Sequence, residues 1–329
     1  MQTRTLGRTG RTVSVIGLGT WQLGADWGEV DEDDALAVLD AAFASGVTFF
    51  DTADVYGDGR SEAFIGRWLV DHPEANVTVA TKMGRRMPQE HENYSLEHFR
   101  AWTDRSRANL GVDTLDLVQL HCPPTSVYSD DRVFDALDTL VAEGAIASYG
   151  VSVEKVEEAL AAIARPHVAS VQIILNAFRL KPLDEVLPAA REAGVGIIAR
   201  VPLASGLLSG RYTLDTRFAA NDHRSFNRHG ESFDVGETFS GVDYATGVRA
   251  AGEFTELARA AAPQATPAQV ALAWIAAQDG VSSVIPGARN PEQARANAGA
   301  GSLELPAGFD DAVRELYDRE IRAQVHERW

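Results

Sequence analysis

The chain is poor in the residues that staple, anchor or broadly charge a protein. A single cysteine, Cys122, excludes an internal disulfide and fits a reducing compartment. No stretch of 18 apolar residues occurs, and the opening MQTRTLGRTG lacks the apolar core of a signal peptide. Neither a membrane span nor secretion is expected, and the reading is cytoplasmic. Of 30 basic residues only three are lysines, Lys82, Lys155 and Lys181, and no basic run interrupts a net charge of −17. Nucleic acid and anionic membranes are therefore not expected as partners, and an anionic ligand would need a locally built site, such as a helix N-terminus with one arginine. The eight histidines show no H-E-x-x-H or Cys/His spacing, and HENYSLEH (91–98) has the wrong interval, so no metal site is expected.

The apolar fraction, by contrast, is ordinary: 45% of the 329 residues are hydrophobic and 23% charged, which rules out disorder. Size scaling gives a folded surface of roughly 13,000 Å², with about three quarters of the open chain's surface buried. Short β-branched runs alternate with amphipathic stretches, the pattern of a parallel sheet with crossover helices. The candidate strands are 13–19, 47–52, 77–82, 115–121, 146–152, 168–174, 195–201 and 282–287. Helical faces follow: Leu36, Leu39 and Phe43 after Asp31; Phe64, Ile65, Trp68 and Leu69 after Ser61; Val156, Leu160 and Ile163 after Ser152. Eight such units predict an α/β protein, a closed (β/α)₈ TIM barrel forming one domain over residues 1–329. An open doubly wound sheet is the rival, but GLGTWQLG lacks the G-x-G-x-x-G spacing. LGRTG between TRT and TVSVI reads as an N-terminal β-hairpin on the barrel floor, and 211–246 as a long functional loop after the seventh strand.

In such a barrel the active site lies at the C-terminal strand ends, so polar residues that break an apolar strand at its last position are informative. Asp51 ends VTFFDT, Lys82 ends VTVATK, His121 ends LDLVQLH, and Tyr56 follows Asp51 in a turn. Singly these read as a cap, a rim charge, a core histidine and packing. Together they can converge. An ammonium beside a phenol favours the phenolate, so Lys82 would lower the pKa of Tyr56 while Asp51 orients the lysine and His121 aims a substrate oxygen at the phenol. That group suits protonation of a carbonyl oxygen. Cys122 beside His121 makes no nucleophile pair, because adjacent strand residues point to opposite faces.

FDTADVYGDGRSE, ATKMG and DLVQLHCPP, in this order and spacing, resemble the three catalytic stretches of the aldo-keto reductases. The resemblance runs over nearly the whole chain, and it implies catalytic roles for Asp51, Tyr56, Lys82 and His121 with NADP(H) as cofactor. It implies cofactor contacts, besides Asp51, at Gly19, Thr20 and Trp21; at Ser152 and Gln172 for the carboxamide; and at Val201, Leu203, Ser205, Gly206, Leu208 and Gly210 in VPLASGLLSG for the diphosphate. IPGARNPEQARAN adds Pro286, Gly287, Arg289, Gln293 and Asn297 for the adenosine phosphate, with Asn290, Pro291 and Gln293 spelling a capped helix start. Arg289 would fork onto a ribose 2′-phosphate, which favours NADP over NAD.

Two departures matter. Val153 stands where many members have Asn, and Arg200 where many have an aromatic that stacks on the nicotinamide; a cationic Arg200 would favour the neutral reduced ring. The activity implied is reduction of an aldehyde, ketone or sugar carbonyl. The alternatives are an NAD(P)-dependent sugar or alcohol dehydrogenase running oxidatively, and a redox-sensing binding module like the potassium channel β subunits. The expected partner is a small carbonyl or sugar substrate, with monomer or homo-oligomer undecided. Within 211–246, Arg217, His223, Arg224, Arg228 and His229 mixed with Asp222, Glu231, Asp234 and Glu237 read as a solvated loop, the alternative being a cationic patch for a phosphorylated or carboxylated substrate; Leu316, Ile321 and Val325 mark a helical segment that covers the pocket or meets another subunit.

Overall fold

A computed structural model describes residues 1–24, 30–220 and 222–329. Eight parallel strands form one sheet: β3 (Leu18–Gly19), β4 (Phe49–Asp51), β5 (Thr78–Met83), β6 (Leu117–His121), β7 (Tyr149–Ser152), β8 (Val168–Ile174), β9 (Gly196–Arg200) and β10 (Val281–Val284). They lie side by side in chain order, and parallel bridges from Ile16 to Val284 and from Gly19 to Gly287 join the first to the last. The sheet is therefore a barrel. Its accessible surface is 13211 Å², as the size scaling expects.

Ahead of it β1 (Thr3–Thr5) and β2 (Thr12–Ser14) form the antiparallel hairpin. The hairpin plugs the floor: Leu6 and Val13 join Phe49, Ala80, Leu117, Ile198 and Ile285 in one buried apolar cluster. At Gly7, φ is +46°, and a Cβ there would come within 2.0 Å of Gly196 N and 2.3 Å of Ala169 O, so two backbones meet at the entry of β8 and β9 where only glycine fits. One expected strand is divided. The run 13–19 belongs half to the hairpin and half to the barrel, because Ser14 and Thr48 exchange hydrogen bonds at 2.9 Å and Ser14 Oγ donates to Ile16 O, turning the chain from floor to wall.

Helices α1 (Glu32–Ala44), α2 (Arg60–Asp71), α3 (Leu96–Leu110), α4 (Asp131–Ala142), α5 (Val156–Ile163) and α6 (Val186–Ala193) follow β3 to β8 one for one, with 3₁₀ turns ahead of α1 (Trp21–Gly24), α3 (His91–Asn93), α4 (Thr125–Ser129) and α6 (Lys181–Leu183) and the undescribed residues 25–29 also between β3 and α1. Asp31 caps α1 by accepting from Asp33 N, as expected, whereas α2 starts at Gly59 rather than Ser61. Ser61 is buried instead, donating to Thr20 Oγ1 at 2.8 Å and accepting from Thr52 Oγ1 at 2.9 Å, which ties the ends of β3 and β4 together. After β9 the chain makes its longest excursion, through α7 (His223–Phe226), α8 (Tyr244–Ala261) and α9 (Pro267–Ala276), before β10. Then come α10 (Pro291–Gly299), α11 (Phe309–Glu320) and α12 (Arg322–Val325). Among the described residues no helix is long and apolar enough to cross a membrane.

Candidate active site

Three strands deliver three of the expected residues to one point. Asp51, Lys82 and His121 end β4 and β6 and nearly end β5, all buried, and Lys82 Nζ donates to Asp51 Oδ1 at 2.5 Å, to Thr52 O at 2.8 Å and to Tyr56 OH at 3.4 Å. Asp51 Oδ2 accepts from Gln119 Nε2 at 3.1 Å and from Gln172 Nε2 at 2.8 Å, so its carboxylate is bonded on both oxygens. The buried charge is thereby paired and fully solvated by protein groups. Tyr56 lies edge-on to His121, ring centroids 6.1 Å apart, and stacks on Trp21 at 6.2 Å. Its turn is seated by a backbone contact: a Cβ on Gly57 would lie 1.9 Å from Gly24 O.

The expected pKa of Tyr56 is corrected. Burial raises it above the ordinary phenol value, and Lys82 only partly offsets that, so the phenol stays protonated at neutral pH. For Lys82 burial works against the charge, but Asp51 and Tyr56 outweigh it and the pKa is raised. His121 is held well below its usual value by burial and then by Arg85, Lys82 and Arg200; its Nδ1 is buried with no hydrogen-bond partner among the described residues. A neutral imidazole therefore faces the phenol. Cys122 lies beyond the strand, in a left-handed conformation with φ +48°, and burial pushes its thiol up to about 12. The thiol is inert, though by burial rather than by strand alternation.

A cavity of about 690 Å³ opens beside this group. Its wall includes Gly19, Thr20, Trp21, Asp51, Tyr56, Gln172 and Arg200, with Val201, Leu203, Ser205 and Gly206 after β9 and Pro286, Gly287, Arg289, Gln293 and Asn297 after β10. Ser152, Leu208 and Gly210 are not brought to it: Ser152 accepts from Cys122 Sγ at 3.5 Å, Leu208 is fully buried, and Gly210 packs on Thr255. Lys82 and His121 are not on the wall itself but touch the wall residues Asp51 and Tyr56, Lys82 through hydrogen bonds to both and His121 edge-on to the Tyr56 ring. The turn after β9 is strongly bent, with Val201, Ala204, Ser205 and Gly206 all at positive φ. Such a run makes a concave backbone suited to an anion. At α10, Asn290 caps by accepting from Gln293 N at 2.9 Å with Pro291 behind it; the Gln293 side chain accepts from Arg289 N, one residue beyond the Asn290 N–H that the capping box read from the sequence requires.

The segment 211–246 is only in part the solvated loop the sequence suggested: Arg217, His229 and Glu231 are exposed. Asp222, His223 and Arg224 are buried. Arg224 pairs with Asp222 and lies 4.5 Å from the Phe218 ring, and Arg228 lies 4.6 Å from the Tyr244 ring, so arginines sandwiched among aromatics build a small core of their own. His223 packs on Trp21 with centroids 5.1 Å apart, carrying the segment to the cavity. The helical segment near 314–329 fastens it: Trp329 Nε1 donates to Asp234 at 3.0 Å and the Trp329 ring lies 4.0 Å from the Arg179 guanidinium.

Sequence reasoning missed a buried ionic cluster at this end of the barrel. Arg200 pairs with Glu154 at 2.9 Å and with Glu237 at 3.0 Å, and Arg85 lies 3.8 and 3.7 Å from the same two acids. Arg200 is therefore not the unmatched cation expected. Burial pushes Glu154 up to about 7, which Arg200 only partly offsets; burial also acts on Glu237, but Arg200 and Arg85 overcome it and hold that carboxyl below its ordinary range. Cys122, Glu154 and Glu237 bring ligand atoms within 4.8 Å of one another, yet Arg200 already supplies the cation between them. Glu154, directly after VSV, could have been marked by its place just past a strand end. Glu237 carried no signal, since nothing periodic leads to it.

Residues 15–318 match the Aldo/keto reductase family. The aldo-keto reductase str7 of Strobilurus tenacellus is 34% identical over 332 residues, covering 96% of this chain and 92% of that one. The aldo-keto reductase yakc [NADP(+)] of Schizosaccharomyces pombe is 29% identical, covering 93% and 89%. Among solved structures, the glycerol dehydrogenase AKR11B4 from Gluconobacter oxydans superposes with a TM-score of 0.77 at 28% identity, covering 94% and 93%. With the barrel, the buried Asp51–Lys82–Tyr56 chain and a family match over most of its length, this chain belongs to the aldo/keto reductase family of oxidoreductases.

Proposed function

We propose that the protein reduces the carbonyl of a small aldehyde, ketone or sugar to the alcohol, with NADPH as the reductant and Tyr56 as the acid. The observation that carries this reading is the hydrogen-bonded series Asp51–Lys82–Tyr56, with neutral His121 against the phenol, beside a cavity that Arg289 and Gln293 at the capped N-terminus of α10 also line. The residues present fit a dinucleotide. Gln22 Oε1 is a buried acceptor on the cavity wall with no hydrogen-bond partner among the described residues, and a Cβ on Gly287 would fill the same space, 2.1 Å from it. Arg211, Arg217 and Arg289 also line the cavity, in a chain whose net charge is −17. Cations on the cavity wall suit the extra phosphate of NADP, and the yeast relative is named as an NADP(+) aldo-keto reductase.

When bound, the reduced nicotinamide supplies hydride to the carbonyl carbon. His121, uncharged, orients the carbonyl oxygen toward Tyr56 without competing for its proton. Tyr56 donates its proton to that oxygen, and Lys82 stabilises the phenolate that remains. Asp51 keeps the lysine charged and aimed. Trp21, His223 and the segment they join exclude water from this end. The same groups run alcohol oxidation in reverse, with Tyr56 as base, and the likeness to a glycerol dehydrogenase favours testing that direction too. The test is turnover of NADPH and of NADH with a panel of aldehydes, ketones and open-chain sugars, and of NADP⁺ with the matching alcohols. Faster reduction with NADPH supports the reading. NADPH binding without turnover in either direction would overturn it.

A further inference from the structure

The reading above places a nicotinamide against Tyr56, and this inference rests on it. A ring that delivers hydride to a carbonyl held by Tyr56 must lie within about 3.5 Å of the reacting carbon. It would therefore sit near Tyr56, where the cavity is also lined by Asp51, by Gln172 bonded to Asp51, and by Arg200, which pairs with Ile174 two residues beyond Gln172. Oxidation makes that ring cationic, so the charge of its surroundings decides which redox form binds more tightly. The phosphates are common to both forms and cancel in the comparison.

Arg200, at the end of β9, is 7% exposed, and a lone guanidinium there would repel the oxidised ring. It is not alone. Glu237 pairs with its Nη1 at 3.0 Å and Glu154 with its Nη2 at 2.9 Å, and Arg200 Nη2 also donates to Val153 O at 3.0 Å. The two acids are not equivalent. Glu154 leaves β7 on the rigid barrel and shares its surroundings with Arg179, whose guanidinium donates to the Glu154 backbone carbonyl. Glu237 arrives from the segment after β9, on a 3₁₀ turn (Val235–Glu237) whose Glu237 carbonyl accepts from Ser205 Oγ at 3.0 Å, in the turn proposed to hold the diphosphate. Glu237 also stands on the cavity wall, which Glu154 does not.

We propose that Glu237 is a specificity-determining residue that sets the redox preference of the bound cofactor, cancelling the charge of Arg200 so that the oxidised nicotinamide is tolerated beside it. Removing the carboxylate leaves Arg200 and Arg85 in excess near the ring and penalises NADP⁺ selectively. Removing Arg200 instead leaves the acids in excess and favours NADP⁺. A role confined to packing the segment would weaken both forms together and leave their ratio alone.

The experiment is a titration of the full-length protein with NADPH and with NADP⁺, without substrate, read by tryptophan fluorescence or calorimetry. Glu237→Gln keeps size and hydrogen bonding, and the ratio Kd(NADP⁺)/Kd(NADPH) is expected to rise about fivefold or more, the scale of one charge acting across several ångströms of partly buried protein. Glu237→Asp restores the charge and the wild-type ratio. Arg200→Gln lowers the ratio, and it carries the test if Glu237→Gln does not fold. An unchanged ratio in Glu237→Gln or Arg200→Gln with both forms still bound overturns this inference alone. Failure of the wild type to bind either nucleotide overturns the cofactor reading beneath it as well.

Discussion

The ends of β4, β5 and β6 and the segment 211–246 meet at the same cavity but are held there by different physics. Asp51, Lys82 and His121 are fixed by strand register: Asp51 pairs with Ala80, Lys82 with Gln119 and His121 with Ser152 across a hydrogen-bonded sheet. His223, Arg224 and Glu237 are fixed by guanidinium–aromatic stacking and ion pairs, with no ladder beneath them. Chemistry that needs sub-ångström placement stands on the first kind of support. The second kind brings charge and shape to the cavity on backbone that can rearrange at lower cost.

The largest expected effect comes from breaking the strand-held region itself. Lys82→Met leaves Asp51 buried without its cation, costing about 3–5 kcal/mol of stability. Turnover should fall by about a thousandfold as Tyr56 loses its stabilising charge; thermal unfolding and steady-state rates read the two effects separately. Gly57→Ala comes next. Its Cβ, 1.9 Å from Gly24 O on a residue at φ +60°, must displace the turn that bears Tyr56, and a shift of about 1 Å should cost about a hundredfold in kcat with smaller changes in KM.

Moving outward, Arg289→Ala should lower the NADPH-over-NADH preference by about tenfold, the value of one charge-assisted hydrogen bond, with kcat at saturating cofactor unchanged. The smallest effect is expected at the fastening of the segment. Trp329→Ala removes a buried ring that packs on Gly236, Gly241 and Arg179, so limited proteolysis within 211–246 should quicken, the melting temperature fall by a few degrees and cofactor affinity weaken about threefold. Equal proteolysis in mutant and wild type would mean that the segment is held by its own aromatic core.

The same division explains what could be read from the sequence. A barrel strand announces itself by an apolar run, and the polar residue ending that run is at the top of the barrel wherever the strand lies, so Asp51, Lys82 and His121 were legible before any coordinates. The hairpin Thr3–Ser14 was legible too, from its turn residues, but the division of 13–19 was not, because it depends on Ser14 meeting Thr48, a partner 34 positions away. The pKa of Tyr56 was misjudged in sign since sequence names the neighbouring lysine but not the burial that outweighs it. Glu237 and His223 were hidden for a related reason. A mixed-charge, Gly-containing stretch looks solvated unless one knows that Phe218, Phe239 and Tyr244 close around its arginines.

The central claim is that Tyr56 is the acid and His121 a neutral guide. Its most direct test is the pH profile of kcat for carbonyl reduction by the wild type and by Tyr56→Phe, with NADPH affinity measured alongside. His121 is depressed well below 6.5 and Tyr56 raised above 10, so neither changes charge between pH 6 and 8. With Glu154, pushed up to about 7, as a titrating group beside Arg200, any wild-type inflection across that range should be removed by Glu154→Gln, and Tyr56→Phe should lose hundreds-fold or more in rate at unchanged affinity. A wild-type inflection near pH 6.5, with Tyr56→Phe retaining its rate, would contradict it and move the proton donor to His121.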